Sequence, residues 1–270
     1  MATNSDTEQN EETNGPDPTE QPFVAHLAEL RDRLLRALAC IFFLLLCLMP
    51  FSNLLYVWLA EPLLAHLPGN SSMIATEVAS PFLAPFKLTL FVAIFISVPY
   101  IFYQAWGFVA PGLYLNERKL ALPLLVSSTL LFYLGIVFSY FVVFPLVFGF
   151  FTAVAPEGVT IMTDISRYLD FVLKLFFAFG AAFEVPIVTY LIVRSGVSTV
   201  ASLRQKRPYV IVAAFVMGML LTPPDVISQT LLALPIWLLY ELGILLCQLT
   251  NAEAQAADDP IGSEAAKTDA

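Results

Sequence analysis

The stretch YVIVAAFVMGMLLT, residues 209–222, decides the fold of this chain. It is apolar throughout and is followed by Pro223-Pro224-Asp225 and then by a second apolar run. As a helix it would extend about 21 Å, whereas the hydrocarbon core of a bilayer is roughly 30 Å thick. Because longer apolar runs surround it, we expect a short membrane helix that thins the bilayer or offers a half-buried face to another helix.

The composition indicates a membrane protein with two polar tails. Apolar residues make up 58% of the 270 residues, charged residues 13%, and the mean hydropathy is +0.77. The net charge of −9 comes from the ends, because residues 1–20 contribute −6 and residues 251–270 contribute −4. We therefore expect a membrane domain over 22–249 between disordered acidic tails, 1–21 and 250–270. Nothing in this pattern indicates a nucleic-acid partner.

Six apolar segments divide the membrane domain. They cover about 37–58, 88–109, 120–154, 168–193, 209–222 and 226–247. The third is too long for one crossing, and Pro145 and Gly149 are expected to mark where it bends or leaves the membrane. We predict an all-α, polytopic protein with six transmembrane helices in a curved, proline-kinked bundle. Helices 5 and 6 are expected to be short, and the connections 59–87 and 145–167 to form an outer (periplasmic) cap.

The distribution of basic residues predicts the orientation. Ten Lys and Arg side chains lie in the N-terminal segment, the even-numbered connections and the C-terminal tail, against three on the other side. Basic residues accumulate on the cytoplasmic side of membrane proteins. Both termini are therefore predicted to be cytoplasmic. The first twenty residues have neither the basic nor the apolar region of a cleavable signal peptide.

Glu29 stands out in the segment HLAELRDRLLR, residues 26–36, just before the first span. Phe23, Leu27, Leu30 and Leu34 recur at helical spacing, which predicts an amphipathic helix at the membrane interface. Glu29 then either forms a surface pair with Arg33 one turn later, or presents its carboxylate to a cationic ligand.

Three further acids have both a structural and a functional interpretation. Glu117, in the turn Asn116-Glu117-Arg118-Lys119, fits the first turn of a helix capped by Asn116. Asp225 is most simply the N-cap of the sixth span. Glu184 lies within the fourth span, where an acid is costly: it is either protonated and bonded to a carbonyl freed by Pro186, or functional.

No sequence motif for a metal site, a cofactor or hydrolysis is present, so we expect neither a cofactor nor an enzyme.

Seven stretches resemble the TatC subunit of the twin-arginine protein translocase, most closely its proteobacterial branch. They are HLAELRDRLLR (26–36), MIATEVASPF (73–82), QAWGFVAPGLYLNERK (104–119), LLVSSTLLFYLGIVFSYFVVFPLVFGF (124–150), APEGVTIMTDI (155–165), FGAAFEVP (179–186) and RPYVIVAAFVMGMLLTPPDVISQTLLALP (207–235). The likeness covers about residues 22–247 in the family's order, and the acidic tails lie outside it.

The resemblance implies a bacterial inner-membrane receptor for folded proteins whose signal peptides carry paired arginines. It implies signal-peptide-binding roles for Glu29, Glu117 and Arg31, since guanidinium groups require carboxylate acceptors. It also implies docking of single-span TatA- and TatB-type partners at Met219, Thr222 and Gln229, contact with other copies of the chain, and export driven by the proton-motive force.

Two other functions are compatible with parts of the sequence. A proton-coupled transporter of small solutes could use Glu184 as its proton site, but it would usually have related halves, which the unequal spans do not show. A structural scaffold without a ligand would tolerate replacement of Glu29 and Glu117.

Overall fold

The described part of the chain is helical. The computed structural model describes residues 20–58, 74–109, 121–154, 164–221 and 226–258. The helices are α1 (Glu20–Leu48), α2 (52–58), α3 (Ser80–Val109), α4 (Ala121–Phe138), α5 (Phe144–Val154), α6 (Ile165–Ala182), α7 (Val185–Arg194), α8 (Val200–Gln205), α9 (Arg207–Leu221) and α10 (Val226–Asp258). Within these ranges the β-structure is limited to one isolated bridge, Ile74 to Asp164. The all-α prediction is confirmed for the described residues.

Helix α1 is continuous from the polar N-terminal segment into the first span. The helix predicted around Glu29 is therefore the first part of α1, which continues into the first span without a break. A 3-10 turn, Met49–Phe51, follows α1 because Pro50 cannot continue its hydrogen bonds. Helix α1 packs mainly on α3 and leaves apolar side chains such as Phe42 and Phe43 exposed.

The third span bends before Pro145. A π turn, Ser139–Val143, joins α4 to α5, and the Phe144 amide donates to the Ser139 carbonyl. Proline at 145 has no amide hydrogen to donate, so the preceding turn widens. The bend was predicted at Pro145 and Gly149. It lies one turn earlier, and the helix then runs on to Val154.

The fourth span breaks at Glu184 and forms the centre of the core. Helix α6 ends at Ala182 and α7 begins at Val185, with Pro186 at the start of α7. The ring of Pro186 excludes a regular helix through residue 182, which explains the kink. Helix α6 contributes Leu169, Leu173 and Phe179, each almost completely buried, to clusters shared with α3, α5 and α10.

Helices α9 and α10 form an antiparallel hairpin whose tip, 222–225, lies outside the described residues. Helix α9 has 15 residues and confirms the short fifth helix. The expectation of a short sixth helix is not met, because α10 has 33 residues and continues to Asp258. Its last turns enter the segment 250–270, where polar composition predicts a disordered tail. Alanine and glutamine favour helix there despite the low hydropathy.

Five described segments are long and apolar enough to cross a membrane. They are His26–Trp58, Ser80–Phe108, Leu122–Phe150, Ile165–Arg194 and Val226–Thr250, and the shorter apolar helix is Arg207–Leu221. These correspond to the six predicted spans. Residues 59–73 and 155–163 of the predicted cap lie outside the described residues. The described parts of its two connections meet where the Ile165 amide donates to the Ile74 carbonyl at 3.0 Å.

Candidate functional site

Glu29 and Arg33 form a side-chain pair on α1. The Arg33 Nε and Nη2 atoms both donate to Glu29 Oε1, at 2.9 and 2.6 Å. The other carboxylate oxygen, Oε2, lies 4.0 Å from His26 Nδ1. The Glu29 side chain is 38% exposed. The pair that the sequence predicted as one alternative is thus present, and among the described residues the nearest charged group to the second oxygen is His26.

The end of α3 forms the other wall of this site. Arg33 lies so close to Gly107 that a β-carbon at Gly107 would collide with its guanidinium group. The His26 ring stacks on Phe108, with ring centroids 4.2 Å apart and planes 15° from parallel. Glu29 therefore lies at a junction of α1 and α3, and its surroundings include the backbone of the second span.

Of the other two predicted binding residues, the structure describes Arg31 but not Glu117. Arg31 is largely exposed and donates through Nε and Nη2 to its neighbour Asp32 at 3.0 and 2.8 Å. Its position leaves it accessible at the same end of α1. Glu117 and its turn lie outside the described residues, so a meeting of Glu29 with Glu117 stays a prediction.

Glu184 lies at the kink between α6 and α7. The buried hydroxyl group of Ser128, on α4, is hydrogen-bonded to its carboxyl group. The Oε1 atom is inaccessible to solvent and has no hydrogen-bond partner among the residues that the structure describes. A buried carboxyl oxygen without a hydrogen-bond partner destabilises the folded state, so Glu184 lowers the stability of the bundle.

Met219 and Gln229 meet on one face of the α9–α10 hairpin. They line a groove of about 310 Å³ with Ile211, Val212, Phe215 and Val216. Met219 is half exposed. A β-carbon at Gly218 would lie 3.3 Å from the Gln229 carbonyl oxygen, so the two helices approach closely there. Thr222, the third predicted member, and Asp225 lie outside the described residues.

A second groove continues this face toward the start of α9. It has a volume of about 230 Å³, shares Ile211 and Phe215 with the first groove and reaches Trp237. The buried indole Nε1 of Trp237 has no acceptor within the described ranges. The hairpin thus presents a long apolar groove with the Gln229 side chain near one end and the Trp237 side chain farther along.

Two ion pairs in the spans were missed by the sequence analysis. Arg207 Nη2 donates to Glu241 Oε2 at 2.6 Å, which joins α9 to α10. Lys87 Nζ donates to Asp170 Oδ1 at 2.6 Å, which joins α3 to α6. The first could have been found, since Arg207 and Glu241 lie about equally far from the hairpin tip. The second depends on tertiary packing and had no signal in the sequence.

Comparisons with known proteins show that the chain is similar to one protein family. A family model described as Sec-independent protein translocase protein (TatC) matches residues 25–235. The TatC protein of Azotobacter chroococcum mcd 1 is 57% identical over 241 residues, covering 89% of this chain and 94% of its own length. That of Escherichia coli (strain K12) is 55% identical over 224 residues, covering 83% and 87%.

A solved structure shows the same fold. A crystal structure of the twin arginine translocase receptor TatC superimposes with a TM-score of 0.76 at 38% identity, covering 84% of this chain and 99% of that chain. A second crystal structure, of the same receptor in DDM, gives a TM-score of 0.76 at 39% identity, covering 82% and 98%.

Proposed function

Because the chain belongs to the TatC family, we propose that it is the membrane receptor and core subunit of a twin-arginine translocase. It binds the signal peptides of folded proteins for export driven by the proton-motive force. The observation that supports this proposal is the Glu29 carboxylate at the junction of α1 and α3, where Arg33 bonds one oxygen and His26 is 4.0 Å from the other within the described residues. Guanidinium groups bind carboxylates with charge-assisted, often bidentate hydrogen bonds.

In this proposal two carboxylates receive the two arginines of the signal peptide. Glu29 accepts one guanidinium through Oε2, and Glu117 accepts the other. Arg31 lies on the same helix and helps to position the peptide backbone or an acidic side chain beside the pair. The positive charge of Arg31 also disfavours a misplaced cation, because like charges at short range repel.

Peptide binding to purified full-length receptor tests this function. Glu29→Ala and Glu117→Ala should each weaken binding of a twin-arginine signal peptide by about 2 kcal/mol, or ~30-fold in Kd, the low end expected for a charge pair that is partly exposed. Glu77→Gln is the control, since it removes an exposed acid that lies outside α1. Unchanged binding by the Glu29→Ala, Glu117→Ala double variant would reject these residues as the receptor site.

We also propose that single-span TatA- and TatB-type subunits bind the α9–α10 face. An apolar transmembrane helix fits the two adjoining grooves, and α9 is too short to be matched to the bilayer by itself. Gln229 supplies an amide that a polar side chain of the partner can satisfy, with interhelical hydrogen bonds of roughly 0.6–2 kcal/mol each. Other copies of the chain complete the complex.

The orientation follows from the same proposal. The receptor lies in the bacterial inner membrane with both termini in the cytoplasm, where signal peptides are available and where ten of the thirteen basic residues are placed. Single cysteines introduced in the two tails of a variant lacking the native thiols should react with an impermeant reagent only from the cytoplasmic side. Labelling of either tail from the outside would reject this topology.

A further inference from the structure

We propose that a pocket between the starts of α3 and α6 binds the headgroup of a phospholipid that carries both a phosphate and a primary ammonium group. The pocket has a volume of about 520 Å³, within the range of small-ligand sites, roughly 300–1,000 Å³. It lies at the end of the bundle where α3 begins at Ser80 and α6 begins at Ile165. In the proposed orientation this is the outer end of both spans, so the lipid comes from the outer leaflet.

Charged side chains of both signs line the pocket. Lys87 and Arg167 are positive, and Glu77, Asp164 and Asp170 are negative. The Asp164 carboxylate already accepts four hydrogen bonds and caps α6, so the positive end of that helix compensates its charge. Two cations and two acids remain for a ligand. This balance favours a zwitterion over an anion, because like charges placed together repel.

The two cations have hydrogen-bond donors to offer to a phosphate. Lys87 Nζ donates to Asp170 Oδ1 at 2.6 Å, and an ammonium group has three N–H bonds in all. Arg167 is exposed, and within the described residues its guanidinium group makes no hydrogen bond or ion pair. It lies three residues before Asp170 and therefore on the same face of α6 as the partner of Lys87. Ammonium and guanidinium groups both form charge-assisted bonds with phosphate oxygens.

The two acids can accept an ammonium group. Asp170 uses Oδ1 for Lys87, and its side chain is 39% exposed. Glu77 is exposed just before the start of α3. A primary ammonium donates three N–H bonds to such acceptors, whereas a quaternary ammonium has none to donate. The pocket therefore suits an ethanolamine headgroup better than a choline headgroup.

An apolar stripe on α3 indicates a lipid as the source of the phosphate. Leu83, Phe86 and Leu90 line the pocket at spacings of three and four residues and so share one face of the helix. Leu83 and Phe86 are 46% and 36% exposed. The stripe runs from the start of α3 into the span, the direction in which an acyl chain leaves its headgroup. A soluble phosphate compound gains nothing from this surface.

Lipid titrations of the purified full-length receptor, read by native mass spectrometry, test the site. The probes are phosphatidylethanolamine, phosphatidylcholine and phosphatidylglycerol with identical acyl chains. Phosphatidylethanolamine should have the lowest Kd, because phosphatidylcholine lacks ammonium N–H groups and phosphatidylglycerol lacks the positive charge. Glycerophosphoethanolamine, the same headgroup without acyl chains, should not displace it at equal concentration. Displacement would identify a site for a soluble phosphate and overturn the lipid assignment.

Arg167→Gln is the first variant, because it removes a cation that no other described residue bonds. The Kd of phosphatidylethanolamine should rise about tenfold, the scale of one charge-assisted hydrogen bond at a partly exposed site. Combining Lys87→Gln with Asp170→Asn removes the ion pair without leaving one charge unpaired, and should raise the Kd at least as much. Lys174→Gln is the matched control, since Lys174 is an exposed cation of α6 outside the pocket lining, and should leave the Kd unchanged.

Three results would overturn the inference. Equal Kd values for the three lipids, or equal weakening by Lys174→Gln and Arg167→Gln, would show lipids that surround the protein without a specific site. Tighter binding of phosphatidylglycerol than of phosphatidylethanolamine would show that the acids do not contribute. Binding of a twin-arginine signal peptide should be unchanged in Arg167→Gln, so failure of the lipid site is distinguishable from failure of the proposed receptor function.

Discussion

The Asp164 carboxylate joins two distant segments of the chain by accepting two hydrogen bonds from Thr76. The Thr76 backbone amide and hydroxyl group donate to Asp164 Oδ2 at 2.9 and 2.6 Å. The other oxygen, Oδ1, accepts from the amides of Ser166 and Arg167 at 3.0 Å and caps the start of α6. One side chain thus fixes the chain before α3 to the N-terminus of the most buried helix.

Asp164 should make the stability of the protein sensitive to acid. The hydrogen bonds from the Thr76 hydroxyl group and then from the amides of Arg167 and Thr76 hold the pKa of Asp164 well below its usual range. A lowered native pKa contributes stability above the unfolded value of about 4 and loses it as the pH falls through the native pKa. Asp164→Asn should therefore lower the melting temperature at pH 7, and the difference from wild type should shrink at pH values below about 4. A difference that is the same at all pH values would show that ionisation of Asp164 does not stabilise the fold.

Close packing of α4 on α6 should make Gly135 intolerant of any side chain. A β-carbon at Gly135 would lie 2.5 Å from the Phe179 carbonyl oxygen and 2.9 Å from its carbon. Because backbone must move to relieve this contact, Gly135→Ala should destabilise the bundle by about 1–3 kcal/mol in thermal unfolding. Gly149→Ala meets open space and should be neutral or stabilising by up to about 1 kcal/mol. Equal stabilities would contradict the close approach of α4 and α6.

Local patterns in the sequence predicted the features that depend on neighbouring residues. The run 209–222 predicted a short helix, which is Arg207–Leu221 in the structure. Proline at 186 predicted a kink, which lies at Glu184. The spacing of Glu29 and Arg33 predicted their ion pair as one alternative, and the structure contains it. Each follows from helix geometry or from the missing amide of proline. The bend of the third span was predicted at Pro145 and Gly149, one turn after the observed π turn, because proline disturbs the residues that precede it.

Long-range partners could not be predicted, because periodicity identifies the face of a helix and not what covers it. The hydrogen bonds from Thr76 to Asp164 and from Lys87 to Asp170 span more than eighty residues. The close approach of the Arg33 side chain to Gly107 likewise depends on how α1 packs on α3. The sequence therefore predicted the pair of Glu29 with Arg33 but not the packing of Arg33 against the end of α3.

Glu184 should tolerate an amide better than an apolar side chain. Glu184→Gln keeps a polar group beside the Ser128 hydroxyl, whereas Glu184→Leu leaves that buried hydroxyl without its partner. An unsatisfied buried polar group costs roughly 1–3 kcal/mol. Export of a folded reporter protein should stay near wild-type level in Glu184→Gln and fall further in Glu184→Leu. Complete loss in Glu184→Gln would instead identify a titrating proton carrier and favour a transporter-like mechanism.

The groove of α9 and α10 should bind a partner helix along its whole length. In membranes that contain the single-span subunits, cysteines at Met219 and Gln229 should crosslink to the partner helix, because both side chains line the groove. A cysteine at Val126, exposed on α4, is the matched control and should not. Gln229→Leu removes the amide and should weaken complex assembly by roughly 0.6–2 kcal/mol, seen as earlier dissociation on dilution. Crosslinks confined to spans of the same chain, together with normal assembly of Gln229→Leu, would contradict docking at this face.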